Sequence, residues 1–390
     1  MLGILLLNSK SAALMESEDT LSITRENSME SNEDKLKAFL GKLMDDGVCP
    51  GLAAAVCSED KVLFTYIGGL KQRIPKQILM TKSALFDVAS LTKVLATTMI
   101  SSVLCDSGQL KYDTPLQHYL ESSGNYRCAT IRQLLTHTAG FVAEQRLDAV
   151  VGQPDETLDY ILGTQPIASP GTKYEYSCFG FIVLGKILER IVGAPLDSIA
   201  RDLVFAPLGM DHTVFNPLQA GYGENTIVAT EFDKTLQKVI VGTVHDENAR
   251  FLGGVAGNAG VFSSLGDTVR FCQMLLRDGC GQRGNFISHE RVREFSTDYT
   301  YNLETARGIG FLLGSRGATP ASENAGIGNY GHTGFTGTSL WISQSKKMAA
   351  ILLTNRVHPT RHNTTLLPLR EKFHSLAFAF DETSKLERGV

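Results

Sequence analysis

The sequence predicts an α+β fold: an antiparallel sheet built from the N- and C-terminal segments, flanked by helices, with a mainly helical region inserted between. Three observations predict it. Short apolar runs bracket a polar turn near the start of the chain, a matching pair recurs near the end, and helical periodicity dominates the middle. At 390 residues and 43% hydrophobic content, the chain has ample material for a buried core.

Taken in order, residues 1–31 begin with an apolar run, Met1 to Leu7, broken by Asn8, Ser9 and Lys10. They continue as a Ser-, Glu-, Asp- and Asn-rich stretch without apolar periodicity. Such a stretch buries too little surface to offset its ordering entropy, so a flexible tail is expected there. Ser31 and Asp34 have capping-box spacing, and Leu36, Phe39, Leu40, Leu43 and Met44 follow on one helical face. Leu52 to Cys57 and Val62 to Tyr66 flank Ser58 to Lys61 and read as a β-hairpin. Helical periodicity then marks Leu91 to Cys105, Ile131 to Leu135, Phe181 to Val192 before Gly193, and Asp267 to Leu276 behind the cap Ser264. Thr338 to Ile342 and Met348 to Thr354 form the second hairpin, and Leu369, Phe373, Leu376 and Phe380 mark a last helix. The expected domain is 32–384, with a sheet part at 32–89 and 300–384 and a helical part at 90–299.

Composition removes several classes of function. The formal net charge is -4 and no basic stripe is present, so nucleic acid is not an expected partner. The seven cysteines are odd in number and include no Cys-x-x-Cys pair, which argues against a disulfide framework or zinc cluster and favours a reducing, cytoplasmic compartment. The apolar start lacks a basic leader, and export stays open as a truncated signal. No stretch approaches the roughly 18 uninterrupted apolar residues of a membrane span. The sequence carries no signal for oligomeric state.

Ser-x-x-Lys occurs three times, at Ser58/Lys61, Ser90/Lys93 and Ser343/Lys346. The first and last fall in hairpin turns, where lysine stays hydrated and near its reference pKa of about 10.4. Ser90 differs, because Leu91, Val94, Leu95, Met99, Val103 and Leu104 make the following helix strongly apolar. One helical turn brings the two side chains to one face; burial there disfavours the ammonium, and the helix N-terminus offers an amide to an oxyanion. Taken alone, Ser90 reads equally well as an N-cap.

Two further motifs decide between these readings. Ser90-Leu91-Thr92-Lys93, then Tyr176-Ser177-Cys178, then His332-Thr333-Gly334 resemble the three ordered motifs of the serine β-lactamase-like superfamily, which includes class C β-lactamases, DD-peptidases and related esterases. The likeness extends through Thr130 to Phe141, Pro170 to Gly185, Pro207 to Met210 and Leu352 to Pro359, and spans about Leu36 to Phe380. The resemblance implies a β-lactamase/transpeptidase-like fold and no cofactor. It also implies that Ser90 attacks a carbonyl, that Lys93 and Tyr176 share its proton, and that the amides of Ser90 and Phe335 hold the oxyanion. Cys178, His332, Thr333, Gly334, Phe335, Asn355 and Arg356 are the substrate-binding positions it suggests, with Arg361 as a further cation.

This chain departs from the family pattern twice. Many relatives carry lysine where His332 stands, and an imidazole with a reference pKa of about 6.5 is mostly neutral at pH 7. Asparagine is usual where Cys178 stands, and a thiol replaces its amide poorly. Both changes lower the expectation of β-lactam hydrolysis and favour an ester or a D-amino-acid-type peptide or amide. The expected activity is thus a serine hydrolase acting through an acyl-enzyme on a small ester, peptide or β-lactam. A penicillin-sensor-like binding module, a non-catalytic scaffold and an acyltransferase are the alternatives.

Other candidates are weaker. His245-Asp246-Glu247-Asn248 cannot converge on one metal ion without an unusual loop. Gly253 to Gly260 lacks the pattern of a phosphate loop and reads as a cleft lining. His137 reads as a helix-end histidine interacting with the dipole. Tyr174 is a decoy two residues before Tyr176.

Overall fold

The computed structural model describes residues 31–143, 145–316 and 323–380. The expected tail falls outside them apart from Ser31, as do positions 381–384. The fold is α+β. Its main sheet is antiparallel, with seven strands: β1 (Gly51–Ser58), β2 (Val62–Gln72), β3 (Ile78–Leu79), β4 (Leu312–Leu313), β5 (Tyr330–Thr333), β6 (Ser339–Ser343) and β7 (Met348–Thr354). The spatial order is β4-β5-β6-β7-β1-β2-β3, so strands from the two ends of the chain meet at the β7–β1 pair. That pair runs in register from Leu52 opposite Thr354 to Ser58 opposite Met348.

The helices that carry the argument are α1 (Asn32–Asp45), α2 (Thr98–Asp106), α3 (Ile131–Leu135), α4 (Cys178–Val192), α5 (Leu265–Leu276) and α6 (Leu366–Phe378). Strand β1 reads as continuously apolar because it is covered on both faces, and its period of two divides the cover. Ala53, Ala55 and Cys57 join the core shared with α2, α4 and α5. Leu52, Ala54 and Val56 join the core under α1 and α6, with Leu36, Leu40, Trp341 and Phe373.

A second, three-stranded sheet places the segment that leads into Ser90. Phe86–Asp87 and Thr213–Phe215 both pair with Val261–Ser263. Among the described residues, no helix is long and apolar enough to cross a membrane.

Candidate active site

The site begins where Phe86–Asp87 runs out. Asp87 is 2% exposed and accepts hydrogen bonds from two backbone amides, Ala89 N at 2.8 Å and His245 N at 2.7 Å. Burial pushes its carboxyl above the usual value, and those two amides pull the other way. Ala89, pinned by Asp87, adopts φ +49°, a left-handed conformation unusual for a residue with a Cβ. This bend turns the chain into the helix that carries Ser90 and Lys93.

That helix is not the regular α-helix the apolar pattern predicts. Ala89–Leu91 forms a 3₁₀ turn, Lys93–Thr97 a π turn, and only Thr98–Asp106 is α-helical. Tertiary bonds account for the change. Thr97 Oγ1 donates to Gly257 O at 2.7 Å, and Val261 N donates to Thr92 Oγ1 at 3.1 Å. The tighter first turn aligns residues three apart. Lys93 Nζ accordingly donates to Ser90 Oγ at 3.1 Å.

Lys93 is wholly buried, and its amine also donates to Asn258 O at 3.0 Å and Cys178 Sγ at 3.7 Å. These three acceptors, with the Tyr176 hydroxyl beside them, favour the ammonium over the free amine. The expectation of an uncharged lysine is corrected on these grounds. Burial lowers its pKa, but its interactions with Cys178 and Tyr176 outweigh burial and hold it above its ordinary value of 10.5. The Tyr176 hydroxyl interacts with Ser90 and Lys93, and burial keeps the phenol protonated against the pull of Lys93. The amine lies 5.1 Å from the centre of the Tyr176 ring and 5.6 Å from that of Phe181.

Helix α4 starts at Cys178, three residues before its expected start at Phe181, with Ser177 as N-cap. Cys178 is therefore held in the helix's first turn against Lys93, and Tyr176 lies just outside it. From the opposite side come His332 and Thr333 on β5, then Gly334 and Phe335. His332 is 3% exposed, and its Nδ1 lies 2.8 Å from Thr333 O, so Nδ1 is the protonated nitrogen. Burial, Arg307 and Lys93 hold this imidazole well below 6.5, so it is neutral. Strand pairing ends at Thr333 and Ser339, which puts the Phe335 amide beyond the ladder. The Ser90 amide, in the first turn of its helix, lacks an intrahelical acceptor by position.

Two of the expected substrate contacts are corrected. Asn355 is buried; its side chain accepts from Gly51 N and donates to the Lys71, Leu70 and Ala229 carbonyls, so it staples the sheet end. Arg356 is 1% exposed and donates to the Arg361 and Asn363 carbonyls, with its guanidinium 4.7 Å from the centre of the Phe335 ring. Arg361 pairs with Glu231 and Glu247. These two arginines support the half-exposed Phe335 and do not present a free cation. His358 is likewise committed, with Nδ1 2.7 Å from Thr230 O and Nε2 accepting from Arg73 N.

The 245–248 cluster disperses. His245 Nε2 lies 3.1 Å from a Glu231 carboxylate oxygen, Asp246 caps the helix Glu247–Phe251, and Asn248 bonds Leu147 N and Gln145 O. In both decoy pairs the serine ends a strand, Ser58 in β1 and Ser343 in β6, and only the lysine lies in the connection that follows; Ser343 Oγ donates to Ala325 O and Lys346 Nζ to Phe378 O. Three contributors escaped sequence reasoning: Asp87, the Asn258 carbonyl, and His137. For Asn258 the glycine-rich surroundings were the available signal. Asp87, an acid in an otherwise apolar run three residues before Ser90, was another.

Comparison with known proteins agrees with this architecture. A family model described as Beta-lactamase matches residues 36–373. A protein of Escherichia coli O157:H7 named "Putative D-alanyl-D-alanine carboxypeptidase" is 30% identical over 360 residues, which is 83% of this chain and 82% of that protein. Among solved structures, the octameric penicillin-binding protein homologue from Pyrococcus abyssi aligns with TM-score 0.67 and 19% identity, covering 86% of this chain and 76% of its own. EstCE1, described as a hydrolase with promiscuous acyltransferase activity, aligns with TM-score 0.68 and 18% identity, over 88% and 98% of the two chains. The chain therefore belongs to the Beta-lactamase family and is a hydrolase of the β-lactamase and penicillin-binding-protein fold.

Proposed function

We propose that this protein is a serine hydrolase that forms an acyl-enzyme on Ser90 and cleaves an ester or a D-amino-acid-type peptide or amide. The observation that carries the reading is the convergence of Ser90 Oγ, Lys93 Nζ and the Tyr176 hydroxyl, with Lys93 wholly buried. Loss of one proton from the coupled Lys93–Tyr176 pair creates the base. That base takes the Ser90 proton as Oγ bonds the carbonyl carbon. The amides of Ser90 and Phe335 receive the oxyanion. The same pair returns the proton to the leaving oxygen or nitrogen as its bond to carbon breaks, and water then repeats the sequence to release the acid and restore Ser90.

The name of the E. coli relative supports a peptide substrate. The neutral His332, and an Arg361 already paired with Glu231 and Glu247, support esters and weaken recognition of a free carboxylate, so β-lactam turnover should be slow. A fluorophosphonate probe should label the Ser90 peptide, mapped by mass spectrometry, and a p-nitrophenyl ester should give a burst stoichiometric with enzyme. A label absent from Ser90 rules the reading out.

The proton bookkeeping fixes a pH dependence. Both Lys93 and Tyr176 are held above their ordinary values, so at neutral pH the competent form, short of one proton, is a minority that grows as pH rises. The kcat/KM for an ester should climb on the alkaline side, with log slope approaching one. His137 and His332 are both held well below 6.5, so neither of these two imidazoles should add an inflection near that pH. A profile flat above neutrality contradicts the assignment.

A further inference from the structure

The sequence gives His137 no role beyond a helix end, but the fold places it elsewhere. Helix α3 stops at Leu135, and His137 follows its C-cap in a left-handed conformation, φ +57°. A β-carbon-bearing residue is held there only when its surroundings require it. It is 4% exposed. What it touches is the segment that carries Tyr176.

Both neighbours of Tyr176 bond to this one residue. Glu175 N donates to His137 O at 3.0 Å, and Ser177 N donates to His137 Nδ1 at 3.1 Å. Between those two anchors the imidazole lies against the phenol, with ring centres 4.4 Å apart and planes 35° apart. Further bonds extend the lacing along the same two segments: Gly171 N to Thr138 O, Ser177 Oγ to Val142 O, and Cys178 N to Ala143 O.

We propose that His137 is the positioning residue of Tyr176: its carbonyl and Nδ1 grip the backbone on either side of the tyrosine while its ring sets the plane of the phenol, aiming the hydroxyl at Ser90 and Lys93. The inference rests on the reading of Tyr176 as a proton carrier. It requires an unprotonated Nδ1, since only a lone pair can accept from Ser177 N. Burial, with the positive charge of Arg307 and Lys93 nearby, keeps the ring in that form. His137 does not touch the reacting atoms, so its effect must pass through Tyr176.

That requirement makes the inference testable by a double-mutant cycle. Glycine and asparagine both tolerate the left-handed backbone, so His137→Gly and His137→Asn avoid the strain that alanine or phenylalanine would add. The asparagine Oδ1 can stand in for Nδ1 as acceptor for Ser177 N, whereas glycine removes ring and acceptor together. H137G should lower kcat about 10- to 100-fold with KM little changed, the range expected for misplacing a catalytic group by about 1 Å. H137N should recover much of that loss.

Esters with alkoxide leaving groups should suffer more than p-nitrophenyl esters, because they depend on proton delivery. In a Tyr176→Phe background, H137G should cause no further loss. Equal losses in both backgrounds, or H137N no better than H137G, overturn the clamp. If H137G does not fold, as judged by circular dichroism, the cycle is read with H137N, whose residual loss must likewise vanish beside Y176F. Wild-type activity in Y176F alone sinks the reading of Tyr176 and the clamp together, whereas loss in Y176F with an unaffected H137G sinks only the clamp.

Discussion

Lys93→Met is expected to slow acylation of Ser90 by about 10³- to 10⁴-fold, the upper range for removing a general base. The methionine keeps the volume of the stem, so the buried wall formed with Phe181 stays filled. What is lost is the amine that reaches Ser90 Oγ, Cys178 Sγ and Asn258 O at once. Lys93→Arg should not rescue the rate, because a guanidinium stays protonated and cannot accept the hydroxyl proton. Stability should fall, by about 1–3 kcal/mol for the buried acceptors left without their donor, chiefly the Asn258 carbonyl and Cys178 Sγ. Stopped-flow burst kinetics with a p-nitrophenyl ester, read beside a thermal melt, separates these effects. A burst rate within tenfold of wild type in Lys93→Met refutes the lysine's role.

How much of this was legible in the sequence depends on whether a feature is local. The Thr130–Gln133 capping box that starts α3 and the Ser264 cap of α5 are set by residues three apart, and both helices end where the pattern says. The sheet from two chain ends was legible because Leu52 to Cys57 and Met348 to Thr354 are apolar runs bounded by turns, and they pair with each other. The first two turns of the nucleophile helix were not legible. Their 3₁₀ and π geometry follows from Thr92 and Thr97 bonding Val261 and Gly257, more than 150 residues away.

The charge of Lys93 was misread for the same reason. Burial was visible in the apolar helix, but Cys178 and Asn258 reach the amine only through the tertiary fold. Asn355 and Arg356 stood as substrate contacts on the family resemblance, which says nothing of local burial; here three chain segments close over Asn355. His137 was missed because helix periodicity does not reveal a left-handed residue two places past the helix.

The junction that holds the two halves of the site together gives the other large expected effect. Gly334 follows the β5 ladder and lies so close to the nucleophile turn that a β-carbon on it would come 2.5 Å from Val88 O and 2.1 Å from Thr338 Oγ1. The hydroxyl can rotate away, but the carbonyl is fixed. Val88 O already accepts from Leu91 N at 3.1 Å and from Thr338 Oγ1 at 3.0 Å, and the neighbouring Asp87 O accepts from Thr336 Oγ1 at 2.7 Å. Gly334 O is itself held by Arg370, whose Nη2 donates at 2.6 Å. Gly334→Ala must therefore push the turn carrying Ala89 and Ser90 away from the segment carrying Phe335, separating the two amides proposed to hold the oxyanion. Overpacking of this kind costs about 1–3 kcal/mol, and removing one oxyanion donor from line costs about 10²- to 10³-fold in kcat. The variant should fold with a lowered melting temperature and lose at least 10²-fold in kcat while the KM moves little. Full activity in Gly334→Ala would show that the Ser90 and Phe335 amides do not act on one oxygen.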